Sequence, residues 1–508
     1  MRTRITAALA SLSLALPALA QPALTPSTTS PATPSPSQAQ PAGVAQALAT
    51  EQAFLSSRRA VSLREALTVA EQKNPDLQSA RQAIALAAAK TRMALSIAVP
   101  SLSLNASYVH TSVAQEFKAK ESARQQAEGT VGLVNFISTS FTGMPLSDAQ
   151  LAPLRSQQQE AVDQVQDIVI VARNSLYGTL LLQQVLFSPN FFLLPAAWEG
   201  GEAAKLGTLE AREQILLAVA RVYLGLEGLA QLEQAARDAE TVALKRERDA
   251  RAQATVGTST EIAVLRAQSE TAQARSTLSA LSGQRVALLA LLEALVGEPV
   301  RPNDDVPTRF EVTAGQEGDT PWERSYGLKA QAVGLKIQER LASVDRLAWL
   351  PTVVAQAKGS YNSNRGFAGT NFIFDGIVAA QWDLYDRGVR YAQQRENDAK
   401  VIQQRCQLEG ARAKAKANWI GAKTNLEAAA VALQQAEAQA ALATRAQRQV
   451  GAAYENGLTT SLEVSDIDNK RFLAASAAAQ ARAQLEIRKV ELAAAEGRLA
   501  SLLGLPEN

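Results

Sequence analysis

Cysteine and histidine are almost missing: the 508 residues contain one of each, Cys406 and His110. That excludes an internal disulfide, a Cys/His zinc site and a serine–histidine triad, unless the triad is built on His110 itself. Cys406 sits in a helical pattern and reads as a small packing residue; His110 reads as a loop or interface residue. No glycine-rich phosphate loop is present. No catalytic residue, metal site or cofactor is expected, and the chain does not read as an enzyme. Excess charge is missing too. Without Arg2 and Arg4 the 51 basic residues fall to 49, level with the 49 acidic ones, so nothing draws the chain to phosphate backbones and nucleic acid is not an expected partner. Beyond residue 20 there is no unbroken run of the roughly 18 to 20 apolar residues that a membrane helix requires, so an inner-membrane helical protein is not expected.

What is present begins with an export signature. Arg2 and Arg4 precede an apolar stretch from Ile5 to Leu16, and Ala18-Leu19-Ala20 forms an A-x-A cleavage site. Residues 1–20 are therefore expected to be a signal peptide, with the mature chain starting near Gln21. No cysteine follows it, so an N-terminal lipid anchor is not expected. Residues 22 to 43 alternate proline with Ser, Thr, Ala and Gln, and 21–60 reads as a flexible leader.

The rest of the chain is one unit written twice, a repeat of the kind that fixes architecture. Each half opens with a helical stretch, breaks at Pro100 or Pro351, and continues as an alternating strand. It then returns through a second strand ending Leu186-Phe187-Ser188 or Leu384-Tyr385-Asp386. Each runs on as a very long helix to Gly257 or Gly457 and comes back as a helix that ends Leu295-Val296-Gly297-Glu298-Pro299 or Leu502-Leu503-Gly504-Leu505-Pro506. Leu186 to Gly257 is 71 positions and Leu384 to Gly457 is 73, whereas turn to closing glycine is 40 against 47. The difference of 7 is read as one heptad, which keeps the packing face.

The strands alternate with period two. Leu102, Leu104, Ala106 and Tyr108 interleave with Ser101, Ser103, Asn105 and Ser107. Phe374, Val378, Ala380, Trp382 and Leu384 share one parity, while Asp375, Gln381 and Asp383 share the other. Strands of about ten residues, apolar on one side and polar on the other, suit a barrel between lipid and water; the edge of a soluble β-sandwich is the alternative. The long helices carry heptad stripes: Leu426, Ala429, Leu433, Ala436, Ala440, Ala443, Val450 and Tyr454, broken at Gln447, and Leu278, Leu281, Leu288, Leu292 and Leu295, broken at Arg285.

From Gly388 to Glu455 is 68 positions, a rod on the order of 100 Å at ~1.5 Å per residue. A lone helix of that kind is unstable, and four strands cannot close a barrel whose smallest forms need about eight. Several protomers must pool strands and rods.

Certain landmarks resemble a known family. Ala70-Glu71-Gln72-Lys73-Asn74-Pro75-Asp76-Leu77 resembles the Asn-Pro-x-Leu opening of TolC-like outer-membrane efflux proteins. Tyr454-Glu455-Asn456-Gly457 with Leu462-Glu463-Val464 resembles their second periplasmic turn, and Trp382-Asp383-Leu384-Tyr385-Asp386-Arg387-Gly388 their strand-to-helix junction. The resemblance spans roughly residues 60 to 505. It implies a mainly α protein with β: a long antiparallel coiled-coil tunnel, plus a transmembrane β-barrel built from four strands of each protomer in a homotrimer. It implies an outer-membrane channel with its helical part in the periplasm, serving a tripartite efflux or type I secretion system. The implied partners are a periplasmic adaptor (membrane fusion protein), an inner-membrane pump of RND, ABC or MFS type, and outer-membrane lipid. Glycines 257 and 457 would mark the periplasmic hairpin turns where the adaptor docks. A periplasmic coiled-coil scaffold or adaptor without a channel is the rival reading, although it has no use for two matched strand pairs.

If the glycine turns are periplasmic tips, Glu463 and Asp466, three apart on one helix face, would ring the narrow entrance, excluding anions and attracting cations. The resemblance places carboxylates at both positions and a tyrosine matching Tyr454 in the closed constriction. The alternative for Glu463 is a capping box, Thr460-Ser461-Leu462-Glu463, with Thr258 to Glu261 offering the same pattern in the first half. Two departures from the family stand out: Thr459 replaces an arginine latch, and Ala263 an acidic partner.

The expected organisation is a first repeat over 61–300, a linker over 301–320 and a second repeat over 321–508. Pro100 to Leu186 is 86 positions but Pro351 to Leu384 only 33, so the first strand pair carries 53 extra residues. This insertion, 111–175, is expected outside the cell as a surface loop, with a helix from Ser147 to Arg173; a lid, a plug or a receptor surface is the alternative.

Overall fold

The computed structural model describes residues 57–506 apart from 304–307, 313–316 and 366–368. The expected signal peptide, nearly all of the leader and part of the linker lie outside the described residues.

The first helix, α1 (Leu63–Lys73), starts in a capping box: Glu65 N–H donates to the Ser62 hydroxyl at 3.3 Å and Ser62 N–H donates to the Glu65 carboxylate at 3.0 Å. It ends at Asn74, which also caps α2 (Pro75–Leu95). Leu77 N–H donates to Asn74 Oδ1 at 2.8 Å, and Asn74 Nδ2 donates to the Leu295 carbonyl at 2.7 Å. The Asn-Pro-x-Leu motif thus has a physical content. Proline at the first helical position has no N–H to lose, Asn74 ties that start to the end of a distant helix, and Leu77 is buried beneath.

A four-stranded antiparallel sheet runs in the order β2 (Ser101–His110), β5 (Asn174–Phe187), β7 (Thr352–Asn362), β8 (Phe372–Gln381). Its register sorts side chains by chemistry. Leu104, Leu180, Gly359 and Phe374 line up across the sheet on one face, as do Leu102, Leu182, Ala357 and Gly376. The other face is more polar, carrying Ser103, Asn105, Ser107, Thr179, Gln183, Gln356 and Ser360, with Lys358 opposite Asp375, although Leu181, Ile373 and Ile377 share it. No packed layer covers either face: Leu104, Phe374 and Val378 are each more than 70 % exposed. The last strand stops at Gln381 and does not continue to Leu384-Tyr385-Asp386. Those residues turn the chain toward the rods, and Arg390 satisfies the junction by donating to Asp386 at 2.9 Å, to the Ala348 carbonyl at 3.3 Å and to the Asp383 carbonyl.

Residues 111–175 hold more structure than a loop with one helix. A ribbon of β3 (Gln115–Phe117) and β4 (Ile168–Val171) encloses two helices, α3 (Ala119–Thr142) and α4 (Asp148–Asp163). Helix α3 runs straight through Gly129 and Gly132, which locally read as loop, because its other face packs on α4. The expected helix from Ser147 to Arg173 ends at Asp163, since Ile168–Val171 is drawn into the ribbon.

Four rods form the other end: α5 (Leu194–Thr255, 62 residues), α6 (Glu261–Val296), α8 (Val389–Glu455, 67 residues) and α9 (Ser461–Ala495). The stripe from Leu426 to Tyr454 is its helix's half-buried seam, Gln447 included. By length and composition, α5 and α6 are apolar enough to cross a membrane, although charged residues interrupt the apolar run of α5 at Arg221 and Glu227. Their apolar residues instead build the core: Leu216, Val219, Tyr223, Leu289, Leu292 and Val296 cluster with Val61, Leu67, Val490 and Leu499. That core sits where α1, α10 (Leu499–Leu502) and a small parallel pair, β1 (Arg59–Val61) with β6 (Val300–Pro302), surround the rods, while α7 (Tyr326–Asp345) packs on α5 and α8.

The closing glycine of the second repeat is not Gly504. Gly297 (φ +82°) lies so close to the end of α1 that an added Cβ would be 2.9 Å from the Lys73 carbonyl oxygen; Gly497 (φ +63°) stands in the same relation to Arg324, at 3.1 Å from its carbonyl carbon. Paired this way, turn to closing glycine is 40 positions in both halves, and no extra heptad exists. The Leu-Gly-Leu-Pro ending near Gly504 belongs to the short α10 and the tail after it.

Candidate functional site

The two hairpin turns are built alike. Gly257 and Gly457 both adopt left-handed conformations, φ +74° and +72°. Thr258 N–H donates to the Gln253 carbonyl and Leu458 N–H to that of Ala453, both at 2.9 Å. The next helix then starts at Thr260 or Thr460, whose hydroxyl accepts from Ala263 or Glu463 N–H. Thr260, not Thr258, is therefore the first cap, with Ala263 three residues on, so a reciprocating carboxylate is lacking there. The second turn has one: Thr460 N–H donates to Glu463 at 3.4 Å and Glu463 N–H to the Thr460 hydroxyl at 3.3 Å.

Glu463 and Asp466 are both exposed on α9. Glu463 is engaged in the capping box, and Asp466 pairs with Lys470 at 2.6 Å, one turn on. Tyr454 is half-buried in the last turn of α8, where its carbonyl accepts from Gly457 N–H at 3.0 Å. Thr459 is half-buried as well.

Sequence reading missed a half-buried charge network just above the turns. Arg246 on α5 pairs with Asp468 on α9 and with Glu270 on α6 at 3.4 Å, and donates to the Val464 carbonyl at 2.8 Å. Ser465 donates its hydroxyl to the same Glu270. Burial pushes the Arg246 pKa below its ordinary value, opposed by Glu270 and by Tyr454, which lies within electrostatic reach. One oxygen of Asp468, Oδ1, is buried without a partner. The only sequence signal was Arg246 within Lys245-Arg246-Glu247-Arg248-Asp249, a charge run indistinguishable from a solvated helix face. The network binds the first hairpin to the start of α9, along a groove of about 560 Å³ that Asp466, Arg471 and Phe472 also line.

Residues 322–498 match the family model for outer membrane efflux proteins, most of the second repeat. Over that stretch the chain is similar to outer membrane efflux proteins. No curated protein sequence matches it, but solved structures share its fold over most of its length. The CmeC outer membrane channel of Campylobacter jejuni is 15 % identical with a TM-score of 0.68, covering 86 % of each chain. The outer membrane protein VceC of Vibrio cholerae is 18 % identical with a TM-score of 0.65, covering 86 % of this chain and 96 % of its own. The open state of the MtrE outer membrane channel of Neisseria gonorrhoeae is 15 % identical with a TM-score of 0.65, covering 86 % and 89 %. The chain differs from a rod-only scaffold in its four-stranded sheet.

Proposed function

We propose that three copies of this chain form a passive duct through the outer membrane and periplasm, docked at its turns on a periplasmic adaptor and an inner-membrane pump. The carrying observation is the sheet: four antiparallel strands, one apolar and one polar face, neither covered, and edges β2 and β8 unpaired. Unpaired edges of ten-residue strands cannot persist in hydrocarbon, where every backbone polar group needs a partner. Pairing β2 of one copy with β8 of the next supplies those partners, and three copies give twelve strands, enough to close a barrel. The apolar face then meets lipid and the polar face water.

At the far end the rods bring the turns of both repeats to the tunnel mouth. Glu463 and Asp466 would add negative potential there, tempered by Lys470, and Arg246 would hold each α9 against its own first hairpin. Light scattering in detergent should give a trimer mass, and the purified protein should make ion-conducting channels in planar bilayers. Recovery as a soluble monomer with no conductance would refute the duct.

A further inference from the structure

We propose that the insertions of neighbouring copies pack on one another through the outer face of α3, forming a helical cap at the end of the barrel opposite the rods. This rests on the trimeric barrel proposed above.

Helix α3 uses Ala127, Val131 and Asn135 against its own protomer. Its other face leaves Leu133, Phe136, Ile137 and Phe141 exposed at 58 %, 69 %, 46 % and 87 %. These positions recur at the three- and four-residue spacing of a helix that buries one stripe. An apolar stripe on a segment that projects from the membrane into water marks an interaction surface.

Three observations say what covers it. The insertion leaves the sheet at His110, the end of edge strand β2, and re-enters at Asn174, its partner in register. The free edge of β2 has only β8 of the next copy to pair with, so the root of the insertion stands at the seam between copies. Its base is held over the sheet end rather than splayed from it: Thr111 N–H donates to the Arg173 carbonyl at 2.8 Å, and Asn364, in the β7–β8 connection, donates to the Val169 carbonyl at 2.9 Å. Lastly, no Lys or Arg occurs between Arg124 and Arg155, whereas helices that lie on a membrane surface flank their apolar face with cations. The same stretch of a second copy's α3, apolar and without charge from Gly129 to Thr142, fits where a lipid headgroup layer does not.

The test uses the full chain with Cys406→Ser, carrying Phe141→Cys, in lipid bilayers. Mild oxidation should join copies covalently through position 141, and Phe136→Asp should abolish that cross-link while the trimer mass stays unchanged. Gln157→Cys, on the exposed side of α4, should label with an impermeant maleimide and not cross-link. An intact trimer with no cross-link at 141 overturns the proposal: maleimide labelling at 141 would then make the insertion a solvated loop, and quenching of a probe there by spin-labelled lipid would lay it on the membrane. Absence of a trimer would instead sink the barrel reading beneath it.

Discussion

The two repeats share a skeleton and differ in everything attached to it. From the turns onward they superpose at a constant offset of 200: Gly257 on Gly457, Thr260 on Thr460, Gly297 on Gly497. Each of these positions answers a backbone demand, a left-handed turn, a helix start or a close approach. The unmatched positions carry charge or surface. Glu463 faces Ala263 at that offset; carried back from the turns along α5 and α8, the same offset sets Arg246 against Ala446 and Glu213 against Ala413, and the α3–α4 insertion has no counterpart. Duplicated residues therefore mark what the architecture needs, and unduplicated ones mark where the protomer became asymmetric.

The sharpest way to break that equivalence is at the closing glycines. Gly297→Ala and Gly497→Ala each force a side chain into a left-handed conformation and against backbone, at 2.9 Å and 3.1 Å. Each should cost about 3 kcal/mol in thermal unfolding. Gly257→Ala and Gly457→Ala, where an added Cβ meets nothing within 4 Å, should cost about 1 kcal/mol. A tolerated Gly497→Ala beside a severe Gly297→Ala would mean that the second repeat closes differently.

Next in size is Arg246, which the second repeat lacks. Arg246→Met leaves Asp468 and Glu270 facing a half-buried gap, at about 2 to 3 kcal/mol. The loss should be local, read as faster amide exchange in the first turns of α9 but not of α6. Arg246→Met with Asp468→Leu should recover part of it; equal exchange in both helices would deny the network its asymmetry.

Glu213 gives a smaller, pH-dependent effect. Burial and then Glu210 raise its pKa from 4.5 to about 7, against the opposing pull of Arg212 and Lys329. The folded state thus holds a proton that the unfolded state has released between pH 4.5 and about 7, so stability falls as pH rises through that window. Glu213→Gln should flatten the slope, raising stability at pH 8 by on the order of 1 to 2 kcal/mol and leaving pH 4 unchanged.

Much of this architecture was legible in the sequence because its demands are local. Proline breaks, turn glycines and strict alternation declare themselves, and the register put Phe374 and Val378 on one face as their parity required. What was hidden depends on partners. Gly504 looked like a closing glycine because its Leu-Gly-Leu-Pro setting resembles Val-Gly-Glu-Pro, whereas Gly497 is recognisable only from the approach of Arg324. The helix through Gly129 and Gly132 needs α4 to hold it. The charges that separate the hairpins look like any solvated run until α5, α6 and α9 bury them together.

The smallest effect addresses the mouth. Thr460→Ala breaks a two-way capping box and should cost about 1 kcal/mol; Thr260→Ala breaks a single long bond, 3.4 Å, and should cost about half as much. Glu463→Gln then separates two roles that the sequence left tangled. A glutamine can still accept from the Thr460 N–H, so the cap and its stability survive while the charge is lost. If Glu463 lines the entrance, that variant alone should weaken cation preference in planar bilayers, and Asp466→Asn, which also frees Lys470, should weaken it further. If Glu463 only caps, selectivity will not move with Glu463→Gln, and the asymmetry between Glu463 and Ala263 is a matter of helix ends.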